Sequence, residues 1–182
     1  MMKNAIAAAA LFLAACTPET EQHAHPRFAQ STPAPVLAPQ DRDFLDRAAE
    51  GSNAEITMGR LVETRALSPA VRAYGRMMVA DHTAINRRLA AIAARHRITL
   101  PTSLGEHQAS YDRVVDLRLE PFDQEFMQVM NEDHDMAREL FKAEAIGGHD
   151  PMLKAFAAQT LPTIEAHLTH AKSMANGISP TP

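Results

Sequence analysis

Apolar and polar residues follow a helical rhythm along most of this chain. Beyond residue 40, apolar side chains recur at intervals of three and four in four segments, over about 41–66, 69–97, 121–147 and 150–176. These intervals place side chains on one face of an α-helix, so each segment predicts an amphipathic helix of about 24 residues. No segment shows the alternation of a half-buried strand. The first stripe comprises Leu45, Ala48, Ser52, Glu55, Gly59, Val62 and Ala66.

Turn-forming residues mark the ends of these helices. Ser68-Pro69 separates the first two, since Ser is a favoured N-cap and Pro a favoured first helical residue. Gly147-Gly148 ends the third helix and Asp150-Pro151 begins the fourth, in which Pro162 predicts a kink. The connection between the second and third helices is long, and residues 104–119 predict a short extra helix within it.

Four long helices with this spacing predict an all-α fold, an antiparallel four-helix bundle. The long middle connection favours two helical hairpins joined by a crossover. The competing topology is an up-down bundle in which this connection is a loop that carries the short extra helix. The composition also favours an all-α fold. Aromatics are only 5% and Trp is absent, so Ala, Leu and Met must fill the core, and these residues suit helices better than a sheet. The net charge of −4 shows no excess of Lys and Arg of the kind that binds nucleic acid, so we expect no nucleic-acid partner.

The N-terminal region has a different character. Residues 1–15 combine one Lys with a short apolar run, which predicts a cleaved signal peptide too short to span a bilayer. The sequence Leu13-Ala14-Ala15-Cys16 resembles the lipobox of bacterial lipoproteins. That resemblance implies cleavage before Cys16 and lipidation of Cys16, which would attach the protein to a membrane. An ordinary signal peptide followed by an accidental Cys is the alternative.

Residues 16–40 are rich in Pro and lack apolar periodicity, so they predict a tether ahead of a bundle domain over 41–176. Residues 177–182 predict a disordered tail. His23 and His25 form an H-x-H pair that can bind metal weakly, but a solvated tether is the preferred interpretation. Thr17 does not resemble the inner-membrane retention signal of enteric bacteria. We therefore expect a location in the cell envelope, facing the periplasm, with the outer membrane preferred.

Each predicted helix carries one residue of metal-ligand type within its apolar stripe. Each lies near the middle of its helix, so the four side chains can meet in one layer of the bundle. Three imidazoles and one carboxylate suit Zn, Cu, Ni or Fe better than Ca or Mg. We predict one bound transition-metal ion, with Zn, Cu and Fe as the candidates. The predicted ligands are Glu55, His82, His134 and His167.

A buried hydrogen-bond network is the alternative, because a buried polar group without a partner costs a few kcal/mol and its neighbours can supply one. In that case Glu55 accepts a hydrogen bond from an imidazole. Four further carboxylates are candidates for orienting the imidazoles, with ordinary surface charge as the competing interpretation. These are Asp81, Asp133, Glu144 and Glu165.

Other His and Met residues carry weaker signals. Met78 and Met130 each lie one turn before a stripe His. As ligands their thioethers would favour copper, whereas as core residues they would only fill space. The remaining histidines of the bundle are expected at the surface or at helix ends: His96, His107, His149 and His170.

Taken together, four segments resemble the bacterial family called domain of unknown function 4142, over residues 41–175. The most specific matches are Asp81-His82-Thr83, Phe122-Asp123, Asp133-His134 and Leu161-Pro162 with His167-Leu168. The resemblance implies a ferritin-like bundle, export from the cytoplasm and frequent lipidation. It implies no biochemical activity.

One motif of ferritin-like di-iron proteins is missing. Those proteins use Glu-x-x-His on two helices. Val79, Asn131 and Ile164 stand three residues before the stripe histidines. A di-iron oxidase site and iron storage are therefore disfavoured.

Three functional hypotheses follow. The first is a lipid-anchored bundle that binds one transition metal, for metal handling or envelope stress protection. The second is a non-catalytic structural or protein-interaction module of the envelope, with another envelope protein as partner. The third is a redox enzyme that removes peroxide or superoxide at an open coordination position. The sequence shows no nucleophile–base arrangement, phosphate loop or CxxC motif, so an enzyme is the less favoured class.

Overall fold

The structure is a computed structural model that describes residues 36–177. Those residues form helices and connecting segments without a strand, which confirms the all-α prediction. A single 3-10 turn, Gly105–His107, precedes the short extra helix of the long connection. The five α-helices are α1 Pro39–Arg65, α2 Pro69–Arg95, α3 Gln108–Val114, α4 Leu119–Gly147 and α5 Pro151–Gly177.

Several predictions for the two ends of the chain fall outside the described residues. These are the signal peptide, Cys16, His23, His25, the tether up to residue 35, and residues 178–182. The tether prediction extended to residue 40, whereas α1 begins at Pro39, because Pro is pre-organised for the first helical turn. Helix α5 continues through Pro162.

Two buried carboxylates near helix starts define the path of the chain. Asp123, in the first turns of α4, accepts hydrogen bonds of 3.1 and 2.7 Å from two backbone N–H groups of the α1–α2 turn. Asp41, at the start of α1, accepts bonds of 2.7 and 2.9 Å from two N–H groups of the α4–α5 turn. Helix α4 therefore starts where α1 ends, and the connection after α2 runs the length of the bundle. This is the predicted arrangement of two hairpins joined by a crossover.

The crossover lies against α1. The Asn53 side chain donates hydrogen bonds to the carbonyl groups of Pro101 and Ser103, at 3.1 and 3.2 Å. Arg47 pairs with Glu106 at 2.7 Å. These contacts place the 3-10 turn and α3 beside the middle of the bundle, where they cover polar side chains of α1 and α4.

The apolar core consists of two separate clusters. One surrounds Tyr74 and Phe126, and contains Met78 and Met130. The other surrounds Phe44, whose ring meets the ring of Phe141 edge-on at 5.1 Å. Buried polar residues lie between them, and we call these the polar layer: Ser52, Glu55, His82, His134, Thr160 and His167. The bundle is thus apolar at both ends of its core and polar at its middle.

Helices α1 and α2 pack tightly at two glycines, where added side-chain atoms have no room. A Cβ atom on Gly75 would lie 2.5 Å from a methyl carbon of Val62, and one on Gly59 would lie 2.8 Å from the Gly75 carbonyl oxygen. We expect Gly75→Ala to lower the free energy of unfolding by about 1–3 kcal/mol, because the helices must separate. Urea unfolding measures the change. Gly177→Ala is the control, since a Cβ there meets nothing within 4 Å. Equal stability of the two variants would contradict this packing.

Candidate metal centre

Three imidazoles from three helices meet at the middle of the bundle. His82, His134 and His167 are each at most 4% exposed. Their ring centroids lie 5.4 to 5.6 Å apart. One ring nitrogen from each histidine lies within 4.8 Å of the nitrogens of the other two. We call these residues the histidine triad.

His134 is oriented by its own helix. Its Nδ1 lies 2.9 Å from the Met130 carbonyl oxygen, one turn earlier in α4. A carbonyl only accepts, so Nδ1 carries the proton and the neutral ring keeps its lone pair on Nε2. That Nε2 is buried and has no hydrogen-bond partner among residues 36–177.

His167 is oriented across the bundle by α2. Its Nε2 lies 2.9 Å from Oδ2 of Asp81, the residue that precedes His82. An ionised carboxylate accepts, so Nε2 donates and the lone pair of the neutral ring is on Nδ1. Within the described part of the chain this buried Nδ1 has no partner. The sequence predicted such an orienting role for Asp81, and this contact is of that kind.

His82 is held by a residue that sequence reasoning did not single out. Its Nδ1 lies 3.3 Å from the Ser52 hydroxyl of α1, and its Nε2 has no partner among the described residues. The same arrangement therefore occurs three times. On every ring one nitrogen meets a serine, a backbone carbonyl or an aspartate, and the other nitrogen is buried without a partner.

Burial keeps the triad neutral near pH 7. It lowers the pKa of His134 to about 4, helped by the nearby His167 ring. Burial also holds the pKa of His82 well below its ordinary value, with further lowering from the two other imidazoles. The pKa of His167 is lowered by burial despite the opposing effect of Asp81. Neutral imidazoles have free lone pairs, which is the state that binds metals.

Glu55 lies beside the triad rather than within it. Its Oε1 is 3.6 Å from His134 Nδ1, on the side of that ring that faces the backbone carbonyl. The carboxyl group does not belong to the set of ligand atoms within 4.8 Å of one another. Burial, with the charge of Asp133, holds the pKa of Glu55 well above its ordinary value.

Asp133 contacts the crossover, not a triad imidazole. Its Oδ2 lies 3.2 Å from His107 Nδ1, and its Oδ1 accepts a hydrogen bond of 3.0 Å from the Ser110 hydroxyl. Burial lowers the pKa of His107, but the nearby carboxylate of Asp133 outweighs it, so the net shift of the pKa is upward. Asp133 thus ties the crossover to α4 directly behind His134.

Two histidines expected at the surface or at helix ends are buried. His107 and His96 are 7% and 9% exposed. His107 continues a stripe with Tyr111 and Val114, and His96 follows Ala93 in the stripe of α2. Both lie at helix ends, as the prediction allowed, because His96 is the C-cap of α2 and His107 is the N-cap of α3. Neither lies at the surface, and the spacing of three and four residues that identified the triad also predicts their burial. His149 and His170 are exposed, as expected.

Two predicted orienting carboxylates lie away from the triad. Glu165 is exposed on α5, because residues two apart on a helix point to different faces and His167 points inward. Glu144 is ten residues from His134, about 15 Å along α4. Its side chain is buried at the end of the bundle, next to Gln40 and Asp41. Neither orients a triad imidazole.

The raised pKa of Glu144 predicts that the free energy of unfolding depends on pH. Burial raises its pKa to about 7, helped by the neighbouring carboxylate of Asp41. An unfolded Glu ionises near pH 4.5, so the folded protein loses stability as the pH rises from about 4.5 to 7. Glu144→Gln mimics the protonated acid and should gain about 1–2 kcal/mol over the wild type across that range, after discounting for solvent screening. Urea unfolding at several pH values measures it. With exposed Glu139→Gln as control, a difference that does not vary with pH would contradict the assignment.

A small cavity adjoins the triad. Its volume is about 30 Å³, and its wall includes Glu55, His82 and His134. It extends between α1 and α4 toward the Arg47–Glu106 pair, both members of which are partly exposed. His107 borders it from the crossover, beside Gly51, where a Cβ would lie 3.2 Å from the imidazole Nε2. Two of the three triad residues therefore border this space.

The donor set suits a transition-metal ion. Metal–imidazole bonds are about 2.0–2.1 Å, which in a tetrahedral site separates the nitrogens by roughly 3.4 Å. The triad nitrogens lie within 4.8 Å, so closure needs ring movements of roughly 1 Å. Asp81, the Met130 carbonyl and Ser52 stand where orienting groups stand around metal-bound histidines. A hard cation such as Mg²⁺ would prefer oxygen ligands.

Three solved structures have similar folds. A DUF305 fragment from Deinococcus radiodurans is 15% identical with a TM-score of 0.68, covering 78% of this chain and 99% of that chain. CopM in the Cu(II)-bound form is 15% identical with a TM-score of 0.65, covering 75% of this chain and 96% of that chain. A DUF305 protein from Streptomyces coelicolor is 12% identical with a TM-score of 0.66, covering 78% and 95%. At these identities the likeness shows the fold.

Sequence comparison identifies the family. No curated protein matches the chain. No helix within residues 36–177 is both long and apolar enough to cross a membrane. The family described as "Domain of unknown function (DUF4142)" matches residues 26–174, which include all three histidines of the triad. The chain therefore belongs to the DUF4142 family.

Proposed function

We propose that this protein binds one transition-metal ion through His82, His134 and His167. The observation that carries the proposal is the convergence of three neutral imidazoles, each with a buried nitrogen that has no partner among the described residues. Each opposite nitrogen is already oriented by a hydrogen-bonding group. Glu55 lies outside this set, so we propose the three imidazoles as the protein ligands.

The unpartnered nitrogens favour a metal over a closed hydrogen-bond network. A network would give each buried polar atom a partner, and the cost of leaving one without is about 1–3 kcal/mol. Three triad nitrogens and Glu55 Oε2 lack one within residues 36–177. A bound cation would occupy the three lone pairs at once. A metal site therefore explains why three buried nitrogens face one another without hydrogen-bond partners. In a purely structural layer the same nitrogens would only destabilise the fold.

Three nitrogen ligands suit Zn(II), Cu(II) and Fe(II), and the donor set alone does not rank them. The likeness to a protein solved in a Cu(II)-bound form supports including copper. Met78 and Met130 are fully buried one turn from His82 and His134, and thioethers favour Cu(I). Their membership of an apolar cluster supports core packing as their role in the resting fold.

Metal retention tests the proposal. The mature chain is stripped with a chelator, incubated with Zn(II), Cu(II) or Fe(II), desalted and analysed for metal content. His23→Gln and His25→Gln are introduced throughout, so that the tether cannot bind metal. We expect about one ion per chain, and His134→Ala to abolish retention while exposed His149→Gln leaves it unchanged. Zero retention of all three metals at micromolar protein would overturn the proposal.

The proposed setting is the cell envelope. The lipobox-like Leu13-Ala14-Ala15-Cys16 supports lipidation of Cys16 and a periplasm-facing bundle at the end of a Pro-rich tether, with the outer membrane preferred. In that setting the site would serve metal handling or protection against envelope stress. Fractionation tests the anchor, because Cys16→Ser should move the protein from the membrane fraction to the soluble fraction. A membrane fraction unchanged by this substitution would contradict lipidation at Cys16.

A structural module of the envelope is the second candidate function. The separation of two apolar clusters by one polar layer supports it, because buried polar groups can fix the register of packed helices. Another envelope protein would then be the partner. This function requires no metal, so the retention experiment separates the two candidates.

A further inference from the structure

We propose that one end of the α2–α5 side of the bundle docks on an anionic phospholipid surface. The proposal rests on the envelope setting proposed above, and it requires no bound metal. The basic and apolar side chains on this side, and the place where the chain enters the bundle, carry the argument. We call six residues the arginine face: Arg87, Arg88, Ile92, Arg95, Met152 and Phe156.

The arginine face lies in a part of the bundle without exposed carboxylates of its own. No Asp or Glu occurs in residues 82–105 or 151–164, which include the second half of α2 and the first half of α5. Next to these ranges, Asp81 is hydrogen-bonded to a triad imidazole and Asp150 caps the start of α5. A chain with a net charge of −4 is therefore basic on this side.

The three arginines have no carboxylate partner within residues 36–177. Arg87 and Arg95 are exposed, and Arg88 donates a hydrogen bond of 3.0 Å to the Gln159 side chain and lies 5.1 Å from the Phe156 ring centroid. Five arginines elsewhere in the bundle do pair with carboxylates: Arg42, Arg47, Arg76, Arg113 and Arg138. The guanidinium groups of the arginine face can therefore bind phosphate, for which their planar geometry is well suited.

Apolar side chains lie between the arginines. A groove of about 410 Å³ runs between α2 and α5, and Ile92, Met152 and Phe156 line it together with two alanines. Arginine stems can lie along apolar surface while their charged ends reach outward. Basic side chains beside an apolar strip are typical of surfaces that rest at a membrane interface.

The chain enters the bundle at the same end. Leu37, near the start of the described residues, packs against the apolar cluster that contains Phe156, and Ile92 packs against the same cluster. Cys16, the proposed site of lipidation, precedes Leu37 by about twenty residues, which span at most about 70 Å when extended. A bundle held this close to a membrane meets the surface at a high effective concentration, so a weakly binding face suffices.

Vesicle binding tests the proposal on the metal-free, unlipidated mature chain with Cys16→Ser. Sedimentation measures binding to phosphatidylglycerol and to phosphatidylcholine vesicles at an ionic strength of about 0.01 M, where the Debye length is about 30 Å. We expect binding to phosphatidylglycerol to be stronger by at least about tenfold, because each arginine near an anionic surface contributes about fivefold. The difference should shrink as salt is added.

Two double variants locate the binding face. Arg87→Gln with Arg95→Gln should weaken binding to phosphatidylglycerol by at least about tenfold. Arg60→Gln with Lys142→Gln is the matched control, because it changes the net charge equally at exposed positions of α1 and α4. The control should bind like the parent chain.

A fluorescence measurement reports directly which side meets the lipid. Cys16→Ser leaves the chain without a cysteine, so a polarity-sensitive fluorophore can be attached at Ala91→Cys or at Ala143→Cys. Ala91 borders the groove of the arginine face, whereas Ala143 is an exposed alanine in the groove between α1 and α4. We expect the emission to shift to the blue on phosphatidylglycerol vesicles only for Ala91→Cys.

Three results would overturn the proposal: equal binding to the two lipids, equal loss of binding in the two double variants, or equal blue shifts at the two labelled positions. Self-association that needs Arg87 and Arg95, without vesicle binding, would also overturn it and would assign the face to a second copy of the chain. If a double variant fails to fold, the two labelled chains decide. The tested chain carries neither metal nor lipid, so these results are distinguishable from failure of the proposed metal site or anchor.

Discussion

Saturating Zn(II) is expected to raise the thermal midpoint of the metal-free protein by about 5–10 °C. A ligand that binds only the folded state at a hundred times its dissociation constant stabilises by about 2.7 kcal/mol, and each kcal/mol shifts a domain of this size by a few degrees. The triad supplies the reason, since its nitrogens converge only when α2, α4 and α5 are packed. Differential scanning calorimetry with and without Zn(II) measures the shift.

Matched substitutions test whether the zinc-induced rise of the thermal midpoint comes from the histidine triad. His167→Ala should abolish the Zn(II)-induced shift, because two imidazoles remain. His170→Ala, an exposed histidine one turn further along α5, should keep it. Asp81→Asn retains the ring but weakens its orientation, and should reduce affinity by about ten- to a hundredfold. A shift of equal size in His167→Ala and the wild type would show that zinc binds elsewhere.

Acidification of the metal-free protein is expected to remove about 3 kcal/mol of stability through His134 alone. Its pKa is about 4 in the folded state, against 6.5 for an ordinary histidine. The stabilising contribution is complete above pH 6.5 and is lost as the pH falls toward 4, because the unfolded chain takes up the proton first. Urea unfolding between pH 7.5 and 4 measures the slope.

His134→Phe isolates this contribution. Phe fills a similar volume and does not titrate, so the variant should lose less stability than the wild type over the acidic range. At neutral pH it should be as stable or more stable, because an apolar replacement removes unpartnered polar atoms from the core. Glu144 acts in the opposite direction, so the difference between variant and wild type is the informative quantity. His149→Gln is the control, and a wild-type slope in His134→Phe would contradict the assignment.

The stripe pattern accounts for most of what could be predicted. Periodicity of three and four reports which face of each helix is buried, and this depends only on neighbours along the chain. It identified four long helices and three buried imidazoles at their middles. Applied to residues 104–114 and to the end of α2, it would also have found His107 and His96. Both lie where the four long stripes end, in the crossover and at the end of α2, so those stripes alone do not predict their burial.

Partners across helices could not be predicted in the same way. Glu55 and the three histidines share the same layer, yet Glu55 meets the Nδ1 side of His134, because the rotation of α1 against α4 decides which side of the ring it faces. Ser52 lies one turn from Glu55 and orients His82. Glu144 lies next to Asp41, about a hundred residues earlier in the chain, because the crossover brings the end of α4 to the start of α1.

By itself the sequence determined the helices, their buried faces and the height at which polar side chains enter the core, since these follow from local periodicity and capping. Tertiary structure alone decided which nitrogen of each imidazole is held by a neighbour and which is left free, and where the cavity opens. Those features depend on the rotation and direction of packed helices, which are set by contacts between residues distant along the chain.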